Sequence, residues 1–206
     1  MKNLGNVLII GDSYSTFKGC IPEGHSTYYP KADVTSPEQT WWRILTEKSG
    51  SKLVLNNSYS GTTICHTGYG GEDCSKRSFS ARADKLIEGG FFTDNKIDTI
   101  LIFGATNDSW ANSPLGKPEF NGDKKELYFV LPAADYLIDR LKKNSCGARL
   151  VFIVNTELKE EVASGIKAIL EKHGIEYIEL CGIDKVDGHP TALGMKQIAE
   201  QIEMNI

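Results

Sequence analysis

The sequence has no apolar run long enough to cross a membrane. Its first, Val7–Ile10, is also shorter than the core of a secretory signal. A cytoplasmic protein, or one whose leader has been removed, is therefore expected. It has no excess of positive charge either: 23 Lys and Arg against 27 Asp and Glu give a net −4, with the cations scattered. That excludes the basic face a nucleic-acid binder needs. Cysteine is scarce and odd in number: five, none in CxxC spacing, which argues against a disulfide framework and a structural zinc site. Cys65 and Cys74 alone lie close enough to suggest a loop bridge, but reduced thiols are the simpler reading. There is no internal repeat, low-complexity tract or Pro/Gly/Ser-rich linker, so residues 1–206 read as a single domain.

Short β-branched runs do occur, at Asn6–Ile10, Lys52–Leu55, Thr99–Phe103, Arg149–Val154 and Glu176–Leu180. They alternate with amphipathic stretches, the pattern of a parallel sheet covered by helices on both faces. Ser36-Pro37-Glu38 reads as a cap opening a helix through Trp41, Trp42 and Leu45. Further helices are expected over Ser78–Ile87, Lys125–Lys143 (kinked or restarted near Pro132), Leu158–His173 and Thr191–Met204. Two long irregular stretches remain, Ser13–Ser36 and Thr106–Asp123. The fold class is α/β, a three-layer α/β/α sandwich around a five-stranded, mostly parallel sheet.

Ligands in such sheets bind beyond the carboxyl ends of the strands. Gly11-Asp12-Ser13 follows the first strand, Asn56–Gly61 the second, Gly104–Asp108 the third, and Asp184–His189 the fifth. Four polar segments thus converge on one edge. A serine there can act as a nucleophile once a base takes its proton, and His189, with an intrinsic pKa near neutrality, suits that role. The backbone amides of Ser13 and Gly61 and the side chain of Asn107 could stabilise an oxyanion.

Gly-Asp-Ser at 11–13, Gly61 within Asn-Asn-Ser-Tyr-Ser-Gly, Asn107-Asp108 within Gly-Ala-Thr-Asn-Asp, and His189-Pro190 resemble the four blocks of the SGNH hydrolases, or GDSL-type esterases and lipases. The blocks fall in that family's order and span the chain. The resemblance implies a flavodoxin-like sandwich, ester hydrolysis without metal or cofactor, Ser13 as nucleophile, Gly61 and Asn107 as oxyanion donors, and His189 as base.

Two positions depart from the family pattern. Where the family usually has glycine two residues before the asparagine, this chain has Ala105, tolerable if φ there is negative. Where it usually has an acid three residues before the histidine, this chain has Val186. Three arrangements stay open. In an extended segment Asp187 lies on the same side as His189. If Gly188 turns the chain, Asp184 could fold back instead. Or a Ser–His dyad could use a backbone carbonyl to orient the ring.

Trp110 is the better substrate-facing aromatic; His66 and Asp12 are further candidates for substrate contact, although Asp12 and Asp108 suit holding loop amides. Tyr28, Tyr29 and Tyr69 could add to a sugar- or acyl-binding surface, and one of Trp41 and Trp42 could border the pocket. The expected partner is a small-molecule ester, with a lean towards O-acyl groups on carbohydrate; oligomeric state is not legible. The rivals are a thioesterase or lysophospholipase with the same machinery, a phosphate- or flavin-binding protein, and an inactive carbohydrate binder.

Overall fold

The structure, a computed structural model, describes residues 2–206. In chain order it contains β1 (Asn6–Gly11), α1 (Trp41–Ser49), β2 (Lys52–Ser58), α2 (Phe79–Glu88), α3 (Phe91–Asp94), β3 (Thr99–Gly104), α4 (Thr106–Trp110), α5 (Val130–Asn144), β4 (Arg149–Val154), α6 (Glu160–His173), β5 (Glu176–Glu179), a two-residue pair β6 (Lys185–Val186) and β7 (His189–Pro190), and α7 (Ala192–Asn205). The five main strands form one sheet in the order β2-β1-β3-β4-β5, every pairing parallel, so the expected α/β sandwich is borne out.

Side chains alternate across a strand, and both faces of this sheet are covered. Leu8, Ile10, Ile100, Ile102, Phe152 and Val154 pack into the core beneath α2, α5 and α6. Val7, Ile9, Leu101, Phe103, Val151 and Ile153 pack into the opposite core beneath α1 and α7. Strands buried on two sides must be apolar at every position, which is why they read as continuous runs rather than alternating ones.

The helix boundaries differ from the expected ones where a local signal competes. Ser36 does form a capping box, but around a 3₁₀ turn at Pro37–Gln39; α1 starts afresh at Trp41. The Lys125–Lys143 stretch divides into a 3₁₀ turn at Lys124–Tyr128 and then α5, with Pro132 in the first helical turn, where no amide donor is needed. Trp41 and Trp42 are both buried, correcting the expectation that one borders the pocket. Their indole N–H groups donate to Ser15, at Oγ (3.2 Å) and at the carbonyl (2.9 Å), pinning the turn that follows β1. Cys65 and Cys74 are free thiols.

The strand order reverses between β1 and β3. The segments leaving these two strands diverge to opposite faces and open a crevice between them. Ser13 leaves β1 at that crevice and Asn107 leaves β3.

Candidate active site

Gly11 ends β1 where a Cβ would lie 2.6 Å from the hydroxyls of both Ser15 and Ser58, so only glycine fits. Asp12 then caps a single 3₁₀ turn, Ser13–Ser15, its Oδ1 accepting the Tyr14 amide at 3.0 Å. This sharp reversal turns the Ser13 side chain towards the β6–β7 hairpin. There Ser13 Oγ lies 3.0 Å from His189 Nε2.

The hairpin decides what orients His189. Val186 pairs directly with His189, leaving Asp187 and Gly188 as a two-residue turn with φ of 49° and 73°. Positive φ at both central residues is the type I′ geometry that Asp-Gly favours. Asp187 is therefore not extended, and its carboxylate does not hold the imidazole; its backbone carbonyl does, at 3.1 Å from Nδ1. Asp184 does not fold back either. Its carboxylate accepts the Thr191 hydroxyl at the start of α7, and its carbonyl accepts the Thr191 amide. Of the three arrangements left open by the sequence, the geometry is the third.

A carbonyl can only accept, so the imidazole proton belongs on Nδ1 and the Nε2 lone pair faces the Ser13 hydroxyl. That is the tautomer a general base needs. Rings supply much of the remaining hold on His189. Tyr28 stacks on the imidazole (centroids 3.6 Å apart, planes 7° from parallel), while Tyr14 and Trp110 approach at 5.4 and 5.7 Å. Two phenols anchor the hairpin backbone: Tyr14 donates to the Gly188 carbonyl, and Tyr29 donates to that of Pro190 at 2.6 Å. Burial lowers the His189 pKa below its ordinary value. The Asp187 carbonyl opposes this in part, and the nearby Lys31 and Lys185 reinforce it.

The oxyanion candidates lie on the two loops facing Ser13. Gly61 has φ of 76° with nothing within 4 Å of a would-be Cβ, so conformation and not crowding requires glycine there. Asn107 is buried. Its Nδ2 donates to the Thr62 carbonyl at 3.0 Å and its Oδ1 accepts the Tyr69 hydroxyl at 2.8 Å. The Thr62 carbonyl can only accept, which fixes the end of the amide that donates, and Nδ2 keeps a second hydrogen. Ala105 has φ of 73°, so the condition of negative φ is not met. The residue occupies the left-handed region at a cost of about 1–2 kcal/mol to turn β3 into α4.

Asp108 accepts the Ile64 amide with both carboxylate oxygens (3.0 and 2.8 Å) and the Cys65 amide at 3.2 Å, tying α4 to the Gly61 loop. Asp12 is fully buried, so it cannot touch substrate as expected; it shapes the nucleophile turn. Its Oδ2 lacks a hydrogen-bond partner among the described residues, and burial pushes its pKa up to about 7. Trp110 is partly exposed beside His189. His66 packs edge-on against Tyr128 (5.3 Å), and no hydrogen bond or ring contact joins it to Ser13, Asn107 or His189 among the described residues. The sequence pointed to Tyr28, Tyr29 and Tyr69 only as unpatterned loop aromatics and did not single out Tyr14. For Tyr14, Tyr28 and Tyr29 the one signal was concentration in the loop that leaves β1; Tyr69, in the loop after β2, had none.

Comparison with known proteins identifies the family and the fold. Residues 5–206 match the family model described as GDSL-like Lipase/Acylhydrolase. The chain belongs to that family. It is similar to a protein of Bacteroides ovatus described as a GDSL-like lipase (44% identity, TM-score 0.91, covering 98% of each chain). A counterpart from Bacteroides uniformis shares 42% identity at TM-score 0.91, covering 98% of this chain and 95% of that one. A family two carbohydrate esterase from Clostridium thermocellum shares the fold at 16% identity and TM-score 0.68, covering 99% of this chain and 64% of that one. No curated protein matches the sequence.

Proposed function

We propose that this protein hydrolyses carboxylic esters, with O-acyl groups on carbohydrate as the substrate class, through an acyl-enzyme on Ser13. The observation that carries the reading is the 3.0 Å contact between Ser13 Oγ and His189 Nε2, with the Nδ1 proton held by the Asp187 carbonyl. His189 takes the hydroxyl proton as Oγ attacks the ester carbonyl. In this reading the amides of Ser13 and Gly61 and the free Nδ2 hydrogen of Asn107 receive the charge that develops on the carbonyl oxygen. The imidazolium then gives its proton to the departing alkoxide, and a water activated the same way frees the acid. Stacking on Tyr28 stabilises the imidazolium through the negative face of the phenol ring. The carbohydrate assignment rests on the partly exposed Trp110 and Tyr69 rings flanking His189 and Asn107, a surface suited to a sugar face.

Labelling with a fluorophosphonate tests the nucleophile. One adduct by intact mass is expected on the native chain and none on Ser13→Ala or His189→Ala. A panel of acetylated sugar, acyl-thioester and lysophospholipid substrates then tests the class. The reading fails if Ser13→Ala retains the native esterase rate, or if a thioester or lysophospholipid is the preferred substrate.

A further inference from the structure

At the outer edge of the sheet, β2, the middle of the Ser13–Ser36 loop and α2 with the turn before it line an open cavity of about 360 Å³ that the dyad does not use. Four cations line it, Lys76, Arg77, Arg82 and Lys85, against one carboxylate, Glu23, in a chain whose net charge is −4. Arg77 is engaged by Glu72, but neither Lys76 nor Lys85 is paired with an acid among the described residues. Lys85 Nζ donates to the Lys76 carbonyl at 2.7 Å, which draws its ammonium over the cavity wall.

The innermost cation is Arg82, only 2% exposed. Its guanidinium donates to the carbonyls of Arg77 (3.0 Å), Asn57 and Gly11 (3.0 Å) and to the Thr62 hydroxyl (3.3 Å), but to no carboxylate. A buried charge is costly, and burial lowers the Arg82 pKa to about 9, opposed in part by the neighbouring Asp12 carboxylate. On the same wall the buried Asn57 Oδ1 lacks a donor among the described residues. The rings of His25 and Tyr59, 4.7 Å apart, and the aliphatic Leu86 complete the lining.

We propose that this cavity is a binding site for an acidic sugar: Lys76, Lys85 and Arg82 face its carboxylate, Asn57 takes a hydroxyl donor, and His25 and Tyr59 cover its apolar face. An anion here adds to the partial counter-charge that Asp12 gives Arg82, and the hydroxyl satisfies the orphaned amide oxygen. The wall and the oxyanion loop are one segment, 57–62, and Arg82 grips both Gly11, at the base of the nucleophile turn, and Thr62, next to Gly61. The site therefore deepens the carbohydrate-ester reading, as a subsite for an acidic unit of the substrate, and rests on that reading only for this link to catalysis.

Calorimetric titration of the full chain with D-glucuronate, D-galacturonate, D-glucose and sodium sulfate tests the site without any turnover. At least one uronate binds tenfold or more tighter than glucose and than sulfate, and a Lys76→Ala/Lys85→Ala variant with native circular dichroism loses that affinity tenfold or more. Uronate binding no better than glucose, or unchanged in the double variant, overturns the proposal; sulfate binding equal to the uronates overturns the sugar assignment. Ser13→Ala keeps the uronate affinity. Failure of the esterase reading thus appears in the labelling experiment, and failure of the subsite appears here.

Discussion

The ring of Tyr28 lies flat against the imidazole of His189, centroids 3.6 Å apart, and Lys31 Nζ stands 4.5 Å from the centroid of the same phenol. Among the described residues no carboxylate touches His189. A stacked ring and a backbone carbonyl hold the imidazole where the family usually has an acid, and three consequences can be measured.

The Tyr28 ring itself matters more than its hydroxyl, which has no hydrogen-bond partner among the described residues. Tyr28→Leu should lower kcat about two- to thirteenfold, from the roughly 0.5–1.5 kcal/mol of an aromatic pair lost in the charged state. Tyr28→Phe should restore the native kcat with KM unchanged. Steady-state kinetics on a small ester distinguish this from general loosening, in which Phe would not rescue.

Lowering of the His189 pKa sets the acid limb of activity. The neutral imidazole is the active form, so a lowered pKa extends activity to more acid pH. The acid limb of kcat/KM should fall below the ordinary imidazole value of about 6.5. Burial dominates the shift, with Lys31 and Lys185 adding to it. Lys31→Met removes one cation and should move the limb upward. A pH–rate profile that is unmoved, or moves down, contradicts this origin.

Val186 stands opposite His189 across the hairpin, more than half exposed, at the position where the family usually has its acid. Val186→Asp should cost little stability, since the valine buries little. The added carboxylate favours the imidazolium, so the acid limb should rise and kcat above it should increase about tenfold or more. If neither moves, the hairpin geometry keeps the two side chains apart.

Asp12 and Asp108 carry a pH cost to folding. Burial raises them to about 7 and about 6, above the ordinary carboxylate range. A raised pKa means that the folded state holds the proton more tightly, so the contribution of these two groups to stability is fully present below about pH 4 and is lost as pH climbs through the folded values. Asp12→Asn imitates the protonated form. It should raise the melting temperature more at pH 8 than at pH 5, and equal gains at both would refute the linkage.

Much of this was legible in the chain. The five strands were readable because burial on two faces forces apolar runs, and the four polar blocks because each directly follows a strand or precedes the last helix. Long-range choices were not. The indoles of Trp41 and Trp42 look like one core residue and one border residue by helical spacing; both are buried because the Ser13–Ser15 turn folds over them and takes both N–H groups. Ala105 looks harmless by composition, yet its φ is 73° because the chain must reverse there to bring Asn107 to the crevice.

The sequence by itself determined the layers, the order of the polar blocks and the identity of the nucleophile and base candidates, since these depend on residue type and spacing within single segments. Only the tertiary structure decided what holds His189. Two residues of positive φ in the Asp187-Gly188 turn replace a carboxylate with a carbonyl. Three tyrosines from the other end of the chain then fix the ring and its hairpin. Those contacts depend on where distant backbones meet, and no local pattern encodes that.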